Sequence, residues 1–165
     1  METLRTDDEL VLVRDVLEGS TTPVLLLVAV SDEAAHAVRR LEHELSLASE
    51  LDPRWAVRPL TLTRYQGHVA LVLGDPGGKP LSSLLLGQPL DIQRFLSLAL
   101  GIIDDLRQVH AHGLIHKDLQ PGNILVDDQD HVRLTGFTLA SRLPRERHGD
   151  EPPQALAGTL PYMAP

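Results

Sequence analysis

The sequence predicts an α+β fold in two parts. Three observations carry that expectation. The first 74 residues read as strand, strand, helix, strand, strand; Asp75-Pro76-Gly77-Gly78 then breaks the chain; and a long amphipathic helix with two short strands follows.

The elements follow in chain order. Glu9 to Leu17 and Pro23 to Val30 carry strand-type apolar runs, joined by the turn signal Glu18-Gly19-Ser20. Asp32 to Leu51 predicts a helix that Asp32 can cap. Its apolar face is Ala34, Val38, Leu41, Leu45 and Ala48 at 3.6-residue spacing. Val57 to Tyr65 and His68 to Leu73 predict a second pair of strands about Gln66-Gly67. Asp91 to His112 predicts a long helix with the stripe Phe95, Leu98, Ile102, Leu106 and Val109, stopped by Gly113. Ile124 to Val126 and His131 to Thr135 predict two short strands around an acidic turn. Arg142 to Ala157, charged and proline-rich, predicts a loop.

Composition narrows the function. A chain of 165 residues with 42% apolar side chains can bury a core, and with only 3% aromatics that core is aliphatic. A net charge of −8 repels phosphate backbones, so no nucleic-acid partner is expected. The absence of cysteine excludes disulfides and thiolate metal sites and suits a reducing compartment. The N-terminus lacks the basic and apolar stretches of a signal peptide, and no apolar run approaches the ~20 residues of a membrane helix. The expected setting is cytoplasmic, away from membranes.

The chemistry is carried by His116-Lys117-Asp118-Leu119-Gln120-Pro121-Gly122-Asn123-Ile124-Leu125-Val126. This stretch resembles the protein-kinase catalytic loop H-R-D-L-K-P-x-N. There an aspartate accepts a hydrogen bond from the attacking hydroxyl, and an asparagine carbonyl five residues on reaches a magnesium ion on the phosphates. Arg133-Leu134-Thr135-Gly136-Phe137-Thr138-Leu139-Ala140 resembles the magnesium-loop segment K-L-T-D-F-G-L-A, and Gly158 to Pro165 resembles G-T-x-x-Y-M-A-P-E. The chain is thus similar to the protein kinases of Ser/Thr type. In its finer phrases it resembles the N-terminal kinase-like domain of bacterial hybrid kinase, ATPase and histidine-kinase sensors. The resemblance implies a two-lobed α+β fold: an antiparallel N-lobe over residues 1–74, a hinge at 75–80, and a partial C-lobe over 81–165 ending in the activation segment. It also implies helices beyond Pro165, so the C-lobe is expected to be incomplete and the long helix to expose apolar residues.

The same resemblance locates the site and its losses. Asp118 and Asn123 stand at the base and metal-ligand positions, and Asn123 is the remaining candidate metal ligand. Thr159 stands where a threonine braces the catalytic aspartate, and Gln120 replaces the catalytic-loop lysine. Val24-Leu25-Leu26-Leu27 occupies the place of V-A-I-K, so Leu27 replaces the phosphate-binding lysine and Leu25 the small residue over the adenine. Leu73 and Leu125 complete the expected nucleotide cleft. Glu44 stands where the lysine's carboxylate partner would be, equally readable as a solvated helix-face residue. Gly136 replaces the magnesium-binding aspartate, and no G-x-G-x-x-G lies between Glu9 and Pro23.

Losing one preorganised electrostatic group costs ~10²–10³ in rate. ATP and magnesium are therefore expected to bind weakly or not at all. The expected role is a regulatory or binding pseudokinase that engages protein partners or downstream signalling modules and can self-associate. Two enzymes remain as alternatives: a weakly active Ser/Thr kinase with Asp118 as base, and a small-molecule phosphotransferase, which also uses H-x-D-x-x-x-x-N. His110 and His112, two residues apart at the end of the long helix, do not face the same way. The resemblance gives His116 the role of the catalytic-loop histidine packing under Phe137, and together these argue against a metal site.

Overall fold

The computed structural model describes residues 1–30, 34–86, 89–143 and 159–162. The N-terminal part is a five-stranded antiparallel sheet in the order β1-β2-β3-β5-β4: Glu2–Thr6, Leu10–Val16, Pro23–Ala29, His68–Gly74 and Pro59–Tyr65. Helix α1, Ala34–Ser46, crosses between β3 and β4. The first strand escapes sequence reading because Leu4 is its one apolar residue, so no alternation announces it. It lies at the sheet edge, where a charged strand discourages further pairing.

Strand β3 is buried on both faces. Leu25 and Leu27 join Leu10, Leu12, Leu41, Leu71 and Leu73 beneath α1, while Leu26 and Val28 pack with Val13, Ala70 and Val72 on the other side. The turn between β4 and β5 uses Gln66 and Gly67, both at positive φ, as a tight hairpin requires.

Helix α1 is shorter than expected, though Val38, Leu41 and Leu45 of the predicted face do pack on the first core. It ends at Ser46, and its buried positions are Ala37, Leu41 and Glu44. Ala48 lies in the turn that follows, and the proposed cap Asp32 lies outside the described residues. The polar Glu44 holds a core position beside the predicted stripe.

The linker is fastened at both ends. Arg14 on β2 makes a two-pronged ion pair with Asp75, at 2.6 and 3.0 Å, and donates to the Gly78 carbonyl at 2.8 Å. Gly78 sits at φ +77 with its Cα against the Val126 carbonyl, where any Cβ would overlap the backbone. Here β6, Lys79–Pro80, pairs with β8, Ile124–Val126, and β8 with β9, Val132–Leu134. Short helix α2, Leu81–Leu84, leads on to α3, Ile92–Ala111. Asp91 caps α3 by accepting from the Arg94 N–H at 2.9 Å, and Gly113 at φ +74 follows its end. Two-residue strands β7, Leu114–Ile115, and β10, Ser141–Arg142, pair across the catalytic loop's base. The remainder of the predicted 142–157 loop, from residue 144, lies outside the described residues.

The two parts share a seam. Val57 donates to the Leu134 carbonyl at 2.8 Å and Leu134 to the Trp55 carbonyl at 3.0 Å. The second core gathers Leu47, Leu51, Trp55, Leu98, Val109, Leu114, Ile124, Leu134 and Phe137. Leu98 and Val109 of the predicted α3 stripe are buried, with Ile102 and Leu106 packed beside them. Phe95 is not: it is 53% exposed, and Asp105 takes an inward position instead.

Candidate active site

The loop between β7 and β8 places the predicted residues together. His116 is buried against Phe137 with ring centroids 4.5 Å apart. Its Nε2 faces the Thr135 carbonyl at 3.0 Å, and the Asp118 N–H points at Nδ1 at 3.3 Å. That pattern requires a neutral ring protonated on Nε2, and burial accordingly lowers its pKa. The buried imidazole thereby sets the direction of the Asp118 backbone.

The Asp118 carboxylate is surrounded by donors of its own chain. Oδ1 accepts from the Thr159 hydroxyl at 2.6 Å and from its N–H at 3.1 Å. Oδ2 accepts from the Asn123 amide at 2.8 Å and the Gln120 amide at 3.2 Å. Gln120 also donates to the Thr159 hydroxyl at 2.8 Å, so the neutral residue at the lysine position still bridges the loop to the distant segment. Asp118, Gln120, Asn123 and Thr159 form one hydrogen-bonded unit.

Asn123 is fully buried, and its side chain is turned. Its Nδ2 donates to both the Asp118 backbone carbonyl and carboxylate, while Oδ1 has no hydrogen-bond partner. Gly136, at φ +79, lies directly against that amide, leaving no room for a Cβ. The sole predicted metal-ligand oxygen is thus sealed under a residue without a side chain. This donor set does not fit magnesium, which needs an open octahedral shell and at least one carboxylate. Among the described residues no group of three or more His, Cys, Asp or Glu side chains is arranged to hold a metal ion. His112 instead bonds the Gln108 carbonyl through Nδ1 at 2.8 Å and lies against Trp55.

The predicted cleft residues Leu25, Leu27, Leu73 and Leu125 are all at most 1% exposed and belong to one core cluster. Leu125 comes from the second part and packs among leucines of the sheet.

Glu44 is not a solvated helix-face residue. It is 0% exposed, neither carboxylate oxygen has a hydrogen-bond partner, and desolvation pushes its pKa up to about 7. The nearby Phe137 N–H, Arg5 and Arg40 pull the other way without completing a bond of ordinary geometry.

The turn over this end of the sheet is the β1–β2 connection; Glu18-Gly19-Ser20 joins β2 to β3, as expected. The β1–β2 turn contains Asp7, Asp8 and Glu9 in place of glycines. Asp7 closes it by accepting from the Glu9 and Leu10 N–H groups at 3.1 and 2.7 Å. Glu9 binds Arg40 at 2.5 Å and His36 at 3.0 Å, and Arg40 reaches on to the Thr138 hydroxyl at 3.0 Å. Sequence reading missed this turn because the strand before it was invisible, and it missed Arg5 for the same reason.

Fold and site together define a protein-kinase-type domain, and the comparisons agree. Residues 9–165 match the protein kinase domain family, and the chain belongs to it. It is 30% identical over 162 residues to ribosomal protein S6 kinase alpha-2 of Homo sapiens, covering 93% of this chain and 21% of that protein. It is 40% identical over 138 residues to human receptor-interacting serine/threonine-protein kinase 1, covering 76% of this chain and 20% of that protein. It is 39% identical over 90 residues to the DNA damage-responsive serine/threonine-protein kinase RqkA of Deinococcus radiodurans, covering 53% of this chain and 13% of that protein. The chain spans less than a third of the length of each of these relatives. No helix among the described residues is long and apolar enough to cross a membrane.

Proposed function

We propose that the chain is a catalytically impaired protein-kinase-like domain of Ser/Thr type, a pseudokinase that works by binding rather than by phosphoryl transfer. The single observation that carries this reading is the core cluster that buries Leu25, Leu27 and Leu73 of the sheet together with Leu125 of β8. Gly136 against Asn123 removes the metal site, and the carboxylates of Asp7, Asp8 and Glu9 repel phosphate where a glycine-rich turn would cradle it. Residues 1–74 act as the N-lobe, 75–80 as the hinge and 81–165 as the C-lobe portion. The partners are proteins or downstream signalling modules in a cytoplasmic setting, as in the bacterial hybrid sensors whose phrases the sequence shares. The apolar outer face of α3 also favours self-association.

Calorimetric titration with ATP, with and without magnesium, tests this directly. The expected result is no magnesium-dependent binding up to millimolar nucleotide. A second reading, a weak kinase using Asp118 as base, is favoured by the intact Asp118, Asn123 and Thr159 unit. A micromolar, magnesium-dependent dissociation constant together with transfer to a protein substrate would establish that reading and remove the first.

A further inference from the structure

Two buried groups of opposite charge, Arg5 and Glu44, are left short of hydrogen-bond partners. Arg5 projects from β1 with its side chain only 14% exposed. Its Nε and Nη1 have no acceptor, and only Nη2 approaches a carboxylate, that of Asp7 at 3.6 Å. Its alkyl stem lies across the catalytic loop, since a Cβ added to Gly122 would stand 3.1 Å from the Arg5 Cδ. Glu44 comes from α1, fully buried, with both oxygens unbonded. Gly122 adjoins Asn123, Asn123 lies against Gly136, and Gly136 precedes Phe137, whose N–H neighbours Glu44. Arg5 thus lies on one of two abutting backbone segments and Glu44, on the helix packed over residues 137–139, beside the other, with no direct ion pair between them.

An uncompensated buried charge of either sign is costly, and each here lowers the cost of the other. We propose that Arg5 is a positioning residue. Its guanidinium, delivered by the first strand, serves as the counter-ion of Glu44 and holds α1 over the catalytic loop, in the role that Leu27 cannot fill. It rests on the pseudokinase reading only for the position assigned to Leu27. The consequence is a helix held in place by the chain's own N-terminal strand, independent of nucleotide. The other charged groups beside Glu44 are few. Arg40, on the same helix, is committed to Glu9 and Thr138. His116 across the loop is neutral, and Arg5 helps to keep it so.

The test follows the Glu44 carboxyl by carbon NMR across pH in the full chain. Arg5→Met is expected to move its titration midpoint upward by about one pH unit and to raise amide exchange along α1. Arg5→Lys is expected to restore both. In the Arg5→Met background Leu27→Lys should bring the midpoint back down, whereas in the otherwise unchanged chain it should only lower the melting temperature. Should Arg5→Met fold too poorly to titrate, Glu44→Gln added to it is expected to recover the folded protein at pH 8.5. An unmoved Glu44 midpoint in Arg5→Met, or no recovery from Glu44→Gln, would overturn the proposal. Because none of these readouts involves ATP, a magnesium-ATP titration that contradicted the pseudokinase reading would be seen separately.

Discussion

At the scale of single residues, the missing carboxylate at position 136 is not an isolated loss. Gly136 adopts a left-handed backbone and lies against the Asn123 amide, so residue type, backbone and neighbour are matched. An aspartate there needs both a strained φ, costing roughly 1–2 kcal/mol, and a displaced asparagine. Gly136→Asp is therefore expected to lower the melting temperature by several degrees and to confer no magnesium-dependent ATP binding. A variant that melted at the parental temperature and bound magnesium-ATP would contradict this. The unit around Asp118 was legible in sequence because its members sit in recognisable phrases, and the structure joins them through direct bonds. The buried state of Glu44 was not legible. A glutamate at a helical core position looks the same in sequence as one in solvent, and its compensating arginine lies 39 residues upstream in a strand with one apolar side chain.

At the scale of elements, strongly periodic segments were read well and weakly patterned ones poorly. Helix α3 was placed nearly to the residue, because a capping Asp91 and a terminating Gly113 bracket it. The hairpin at Gln66-Gly67 and the tight Gly78 approach were marked by glycine. Strand β1 and the buried Glu44 of α1 were not, since charged residues hold positions that pattern reading reserves for apolar ones. Helix α3 also presents an outer face with Ile92, Phe95, Leu96, Leu100 and Ile103 each more than half exposed. These fall at helical spacing along one side for three turns. Covering any one of them would contribute ~1.5–3 kcal/mol, so a contiguous stripe favours association. Sedimentation of the chain is expected to show a mass rising above 18.1 kDa with concentration. Leu100→Glu combined with Ile103→Glu should return it to a monomer with an unchanged or higher melting temperature. A monomer at every concentration in the parental chain would show that the stripe tolerates water.

At the scale of the whole molecule, buried titratable groups set how stability varies with pH. Glu44 and Asp105 are both pushed up to about 7, chiefly by burial. For Asp105 the neighbouring Arg133 opposes the shift and Asp104 adds to it. A carboxyl with a raised folded pKa binds its proton more tightly in the native state. Stability therefore falls as pH rises from the unfolded value near 4 to about 7, then stays level. His116 acts in the other direction. Its lowered folded pKa means that only the unfolded chain takes a proton below about 6.5, so its contribution to stability grows as pH rises to that point. Two carboxyls against one imidazole leave a net loss of stability from pH 5 to pH 7, and each tenfold difference in proton affinity between the folded and unfolded chain is worth ~1.4 kcal/mol. The melting temperature is thus expected to be higher at pH 5.5 than at pH 7.5. Self-repulsion of a chain with net charge −8 and an isoelectric point of about 5.4 acts in the same direction. Substitution separates the two causes. Glu44→Gln with Asp105→Asn changes the net charge by only two, yet should reverse the slope between pH 5 and 6.5, leaving His116 in control. Thermal melts at half-unit intervals decide the matter. A melting temperature that climbs steadily from pH 5 to pH 8 in the parental chain, or a slope indifferent to the double substitution, would show that these two carboxyls are solvated in solution.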